Sequence, residues 1–156
     1  MERRGLSSTL FSEEYGEKMR FLAGPRQCGK TTLVKSFLQE ASGRGPYFNW
    51  DQREVRARHR RDPAFYLSEL TAGSGPRWLG FDEIHKMPKW KNILKEAFDT
   101  HGKELRFVIT GSARLDLLRR SGDSLAGRYF LFHLFPFSLC ELSASFRLFQ
   151  RPPESA

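Results

Sequence analysis

The chain has 156 residues, 39% of them hydrophobic and 13% aromatic, with 26 Lys and Arg against 18 Asp and Glu. That length suits one domain with its own core, since such units commonly run to roughly 100 to 200 residues, and it argues against two. The formal charge of +8 favours polyanionic partners such as nucleotides, nucleic acid or acidic protein surfaces, without choosing among them. No apolar run approaches the roughly 18 residues of a membrane helix. Residues 1–6 lack the apolar stretch of a secretory signal, and Cys28 and Cys140 are the two cysteines of the chain, so the expectation is a reducing, cytoplasmic setting with no membrane and no structural disulfide.

In chain order, five short and mostly apolar segments read as strands: residues 20–23, 47–50, 78–81, 105–110 and 129–134. Runs that are apolar on both faces, rather than alternating, suit a parallel sheet covered by helices on each side. Two amphipathic helices stand between them. In the first, Leu33, Val34, Phe37 and Leu38 share a face, and Gly43 and Gly45 are expected to end it; in the second, Trp90, Ile93, Leu94, Ala97 and Phe98 follow helical spacing. Residues 53–61, "REVRARHRR", are the densest basic run and read as a solvated helix face or loop, with a DNA contact as the functional alternative. Residues 42–46 and 71–76 are turn clusters. Alternating strands and helices predict an α/β domain whose ligand sits beyond the carboxyl ends of the strands, on the loops after Ala23, Phe81 and Thr110.

The first of those loops is the most informative. Gly24-Pro25-Arg26-Gln27-Cys28-Gly29-Lys30-Thr31 fits G-x-x-x-x-G-K-[ST] between a strand and a helix, the context that pattern requires. Glycines let backbone N–H groups turn toward phosphates without a Cβ in the way, and the helix start adds its positive end. Lys30 reaches the β and γ phosphates in this reading, Thr31 gives its hydroxyl to Mg²⁺, and Thr32 touches the α phosphate. The stretch predicts a phosphate cradle.

Hydrolysis needs a carboxylate for the metal and a group to polarise water. Residues 78–81 deliver Asp82 to the end of a strand, suited to the Mg²⁺ shell, and Glu83 follows as the candidate base. Glu83 favours water over a small-molecule acceptor. Residues 107–112 form another strand ending in small polar residues, where either Thr110 or Ser112 senses the γ phosphate or places the water. His85 reads as a structural or loop histidine. Cys28 stands near a helix start, where oxidation would obstruct phosphate binding.

Together, "GPRQCGKTTL", "FDEIHKMPKWKNILKEAFD", "VITGSARLDLL", "DSLAGRYF" and "LFPFSLCEL" resemble the ATPase core of a prokaryotic AAA+-like family, close to the branch containing the archaeal and origin-recognition type P-loop ATPases. The likeness covers roughly residues 21–142. It implies a three-layer P-loop NTPase sandwich around a central, mainly parallel five-stranded sheet, with ATP and Mg²⁺ as cofactors. By that resemblance Lys30 and Thr31 are Walker A residues, Asp82 and Glu83 the Walker B pair, and Thr110 or Ser112 the polar sensor. Arg128, in the Gly-Arg pair before the last strand, is implied as an arginine acting on a γ phosphate, in its own site or in a neighbouring subunit of a homo-oligomer.

Residues 1–18 then read as an N-terminal extension, 19–145 as the ATPase core and 146–156 as a disordered or truncated tail. Members of the family usually continue past the Pro-Phe-Ser block into a helical lid and a further C-terminal domain, whereas residues 138–141 resemble a capping box that opens a helix near the end of this chain. Three functions are therefore carried forward: a Mg-ATP hydrolase driving a conformational switch, a nucleotide-binding remnant acting through protein or DNA contacts, and a small-molecule phosphotransferase.

Overall fold

Strand β1, Met19–Ala23, is buried at all five positions, and the rest of the domain is assembled around it. The computed structural model describes residues 5–40, 45–70, 76–111 and 124–137. Helix α1 spans Leu6–Leu10, α2 Lys30–Gln39, α3 Arg53–Arg61 and α4 Trp90–His101; β2 spans Tyr47–Asn49, β3 Arg77–Asp82, β4 Leu105–Thr110 and β5 Tyr129–His133. These five strands form one sheet in the order β2-β3-β4-β1-β5, and every pairing is parallel. The α/β fold expected from the apolar runs is the one observed.

Successive strand residues point to opposite faces, and both faces are covered. Met19, Phe21 and Ala23 join Leu79, Phe81, Phe107 and Ile109 beneath Val55 of α3 and Leu94 and Ala97 of α4. On the opposite face, Leu22, Trp78 and Val108 meet Leu33, Val34, Phe37 and Leu38 of α2 together with Leu10 of α1. The segment ahead of β1 is thus packed into the domain: Leu10 is fully buried, and Phe11 stacks on Phe37. Arg20 is also fully buried within β1. Its guanidinium donates to the carbonyls of Ser12, Gly16 and Lys18 and lies over the Trp78 ring; burial holds its pKa below the ordinary arginine range, with Arg106 adding to the effect.

Several boundaries differ from expectation: β1 begins at Met19, β2 stops at Asn49, β3 begins at Arg77 and β5 stops at His133, each one residue from the expected position. Helix α2 stops at Gln39, because Glu40 is already extended at φ −63°, ψ 136°, so the helix ends before Gly43 and Gly45. β3 runs on through Asp82, since the carboxylate finds hydrogen-bond donors at the strand end and the ladder continues to Thr110. The basic run 53–61 is α3 from end to end. Arg56 donates to the carbonyls of Trp50 and Asp51, and Arg58 pairs with Glu69 and lies over Phe65; Arg53, Arg60 and Arg61 stay exposed. Among the described residues no helix is long and apolar enough to cross a membrane. Residues 71–75 of the expected turn cluster 71–76, the expected capping-box segment 138–141, Cys140 and the tail 146–156 lie outside the described residues.

Phe107 is completely buried in the central strand β4. Phe107→Ala is expected to lower unfolding free energy by about 4 kcal/mol, measured by urea denaturation. A loss below about 1 kcal/mol would contradict this account of the core.

Candidate functional site

Parallel pairing sets Leu22 of β1 and Asp82 of β3 both beside Thr110 of β4. The carboxyl ends of β1, β3 and β4 therefore open on one rim, and the loop from Gly24 to Gly29 rises from it into α2. The loop's path requires glycine at its two ends. At Gly24 (φ 155°) a Cβ would come within 2.2 Å of the Leu134 carbonyl oxygen, and Gly29 sits at φ 93° as the residue before α2. Gln27 between them adopts φ 62°, a left-handed conformation that costs a side-chain-bearing residue about 1 kcal/mol or more. Among the described residues no side chain caps α2, so the amides of its first turn and the positive end of its dipole face the loop.

Lys30 opens α2 and is 9% exposed. Its ammonium donates to the carbonyls of Gly24 (2.9 Å) and Pro25 (2.5 Å) and lies 3.7 Å from Cys28 Sγ. Those bonds aim a buried charge along the inside of the loop. The Cys28 thiol donates to the Leu134 carbonyl at 3.3 Å, so it faces β5's end. Gly24, Pro25 and Cys28 thus shape the loop, whereas Arg26, Gln27, Gly29, Lys30, Thr31 and Thr32 line one side of a cavity of about 280 Å³ whose other side is Asp82 and Glu83.

Across that cavity Thr31 Oγ1 donates to Asp82 Oδ2 at 3.2 Å, and Thr110 Oγ1 donates to Asp82 Oδ1 at 2.6 Å. Asp82 is 6% exposed. A buried carboxylate is costly unless hydrogen-bonded, and here each oxygen has a hydroxyl donor. Thr31 and Asp82 supply two hard oxygens, while no group of three or more His, Cys, Asp and Glu among the described residues is placed to hold a metal. That donor set fits Mg²⁺, which takes one or two protein oxygens and completes its shell with water and phosphate oxygens.

Glu83 turns away from the strand at φ 57°. Its carboxylate meets Lys86 Nζ at 3.2 Å and His85 Nε2 at 3.5 Å. Lys86 also donates to both oxygens of Asp51 at 2.7 and 2.6 Å, and the Asp51 hydrogen bond pushes the Lys86 pKa up. His85 is therefore a contact of the candidate base.

Thr110 is fully buried with its hydroxyl turned to Asp82. Ser112, the other candidate sensor, lies outside the described residues. Arg128 stands apart. Its carbonyl accepts from Met19 N at the first residue of β1, which is the amino rim of the sheet, opposite the cavity. There Arg128 grips Asp99 through Nε at 2.7 Å and Nη2 at 3.2 Å, and its hydrogen bonds hold the Asp99 carboxyl below the usual range.

Sequence reasoning passed over Lys86 and Tyr47. Tyr47, on β2, places its hydroxyl 3.3 Å from Thr110 Oγ1; burial, and then the Asp82 charge, push the phenol's pKa well up. An aromatic residue in a short apolar strand carries no mark of such a contact. The i, i+3 spacing of Glu83 and Lys86 was a signal within reach.

A family model described as an AAA domain matches residues 16–143. An uncharacterized protein of Mycobacterium bovis and one of Mycobacterium tuberculosis are each 32% identical over 146 residues, 93% of this chain and 31% of theirs. The chain spans about a third of the length of these curated relatives.

Cys28 is a buried free thiol that reports on the loop. In a Cys140→Ser background, Gly24→Ala is expected to destabilise the fold by about 2 kcal/mol and to make Cys28 reactive toward a thiol reagent. An unchanged modification rate would show that the Gly24 to Leu134 approach does not hold the loop.

Proposed function

This chain belongs to the AAA domain family, and from that premise we propose that it binds Mg-ATP between the 24–32 loop and Asp82-Glu83 and hydrolyses it to ADP and phosphate, using nucleotide state to drive a conformational switch. The observation that carries this reading is the Thr31 hydroxyl facing the Asp82 carboxylate across the cavity, beside a buried lysine at a helix start.

In this proposal the loop amides and the start of α2 cradle the phosphates. Lys30 keeps its direction through the Gly24 and Pro25 carbonyls and neutralises charge on the β and γ phosphates. Arg26 and Gln27 border the opening, and Thr32 stands one residue along α2 toward the α phosphate. Thr31 and Asp82 hold Mg²⁺, which when bound neutralises charge shared between the β and γ phosphates. Glu83 orients and polarises the attacking water from the cavity's edge. Lys86 links Glu83 to Asp51 in the turn entering α3, a route by which a change at Glu83 reaches the surface. Ser112 is the remaining candidate sensor, because the Thr110 hydroxyl is spent on Asp82.

Arg128 lies at the opposite rim, so its proposed action is on the nucleotide of a neighbouring subunit, after release from Asp99. This makes a homo-oligomer part of the proposal. Five ordered sequence blocks support the archaeal and origin-recognition branch as the nearest within the family, and the buried free thiol of Cys28 suits the cytoplasm. DNA contact rests on charge alone, through Arg53, Arg60 and Arg61 of α3.

A second reading, nucleotide binding without turnover, is favoured by one observation: the Glu83 carboxylate is engaged by Lys86 and His85. Two substitutions separate the readings. Lys30→Ala is expected to weaken binding of a fluorescent ATP analogue by about 100-fold or more. Glu83→Gln is expected to bind within a few-fold of the parent while phosphate release falls about 100-fold or more. Binding without release in the parent selects the second reading, and equal loss of binding in both variants removes this division of labour.

A further inference from the structure

Thr110 has one hydroxyl proton, and a carboxylate oxygen only accepts. The 2.6 Å bond to Asp82 Oδ1 therefore takes that proton. The Tyr47 hydroxyl, 3.3 Å from Thr110 Oγ1, must then be the donor of its own bond. Along this route Tyr47 gives to Thr110 and Thr110 gives to Asp82 Oδ1, while Asp82 Oδ2 faces Thr31 and the cavity; the phenol also interacts directly with Thr31 and Asp82.

The phenol is placed by the sheet itself. Tyr47 pairs in register with Gly80 of the neighbouring strand, and a Cβ at Gly80 would stand 2.6 Å from Tyr47 Cδ2. Only a residue without a side chain lets the ring cross β3 toward Thr110 on β4. Lys35 Nζ, 5.1 Å from the ring centroid, covers the same ring from α2. A ring held from both sides keeps its hydroxyl in one place.

We propose that Tyr47 is a positioning residue for the metal-holding carboxylate, acting through Thr110 to fix which oxygen of Asp82 faces Thr31. This rests on the Mg-ATP reading and deepens it: Tyr47 touches neither nucleotide nor metal, and it governs the dependence of binding on Mg²⁺. Without the phenol hydroxyl, Thr110 is held by Asp82 alone, and the orientation of the Asp82 carboxylate is less tightly fixed. Hydrogen-bond partners behind a metal ligand matter in this way because they set the ligand's angle before the metal arrives.

The test uses the full chain and its Tyr47→Phe, Thr110→Val and doubly substituted forms. A fluorescent ATP analogue is titrated in excess EDTA and at rising Mg²⁺, and urea midpoints are taken without nucleotide. The expected result is unchanged affinity in EDTA, a Mg²⁺ half-saturation raised about 10-fold by Tyr47→Phe, and no further rise when Tyr47→Phe is added to Thr110→Val. Half-saturation equal to the parent's, or a rise by the same factor in both backgrounds, overturns the proposal. If the parent binds no nucleotide, the ATP reading fails instead. The urea midpoints then decide the Tyr47 to Thr110 pair on their own: additive effects remove it, and coupled effects retain it.

Discussion

The Asp82 carboxylate joins parts of the chain that are remote in sequence, and the site depends on its being satisfied. Thr31 is 51 residues away and Thr110 is 28, yet both donate to it, and its own carbonyl accepts from Trp50 N. At 6% exposure an unpartnered carboxylate would cost several kcal/mol. The register of β3 on β4 brings Asp82 beside Thr110, and the loop between β1 and α2 brings Thr31 to the other oxygen. Fold and site are therefore one arrangement: moving a strand by one residue would turn Asp82 to the wrong face.

Around that carboxylate the backbone is locally unfavourable. Gln27 and Glu83 both carry side chains at positive φ, and Lys30 buries a charge whose donors go to loop carbonyls. Each departure costs on the order of 1 kcal/mol or more, and each persists because the two layers of apolar packing over-determine the positions of β1, α2 and β3. Two of the three described side-chain-bearing residues at positive φ, Gln27 and Glu83, border that cavity, and the third, Lys89, precedes α4. Glu83 at the same time is tied to Lys86 and onward to Asp51, which joins the cavity to the turn before α3.

What the sequence disclosed follows from how local each signal is. The 24–32 loop is contiguous, and Gly24 and Gly29 are demanded by its backbone geometry, so its course from β1 into α2 was readable directly. All five strands were readable because both faces of a parallel sheet are buried, which leaves near-continuous apolar runs. Thr110 and Arg128 illustrate the limit. Their residue types were noticed, but their roles depend on direction: a hydroxyl at a strand end can face a ligand or a neighbouring carboxylate, and here it faces Asp82. A residue just before a parallel strand lies at the amino rim, which sets Arg128 opposite the cavity. Tyr47 was illegible because its contact crosses an intervening strand through the space left by Gly80. The end of α2 was missed by the preference for glycine as a stop signal, when the chain had already turned extended at Glu40.

If the loop after β1 is a nucleotide cradle, amide hydrogen exchange with and without Mg-ATP registers it at the loop itself. The account predicts added protection in peptides covering residues 24–32 and 79–83, with α3 unchanged. Protection absent from the loop at saturating Mg-ATP, or confined to the basic residues 53–61, would contradict it and point to attraction by surface charge alone.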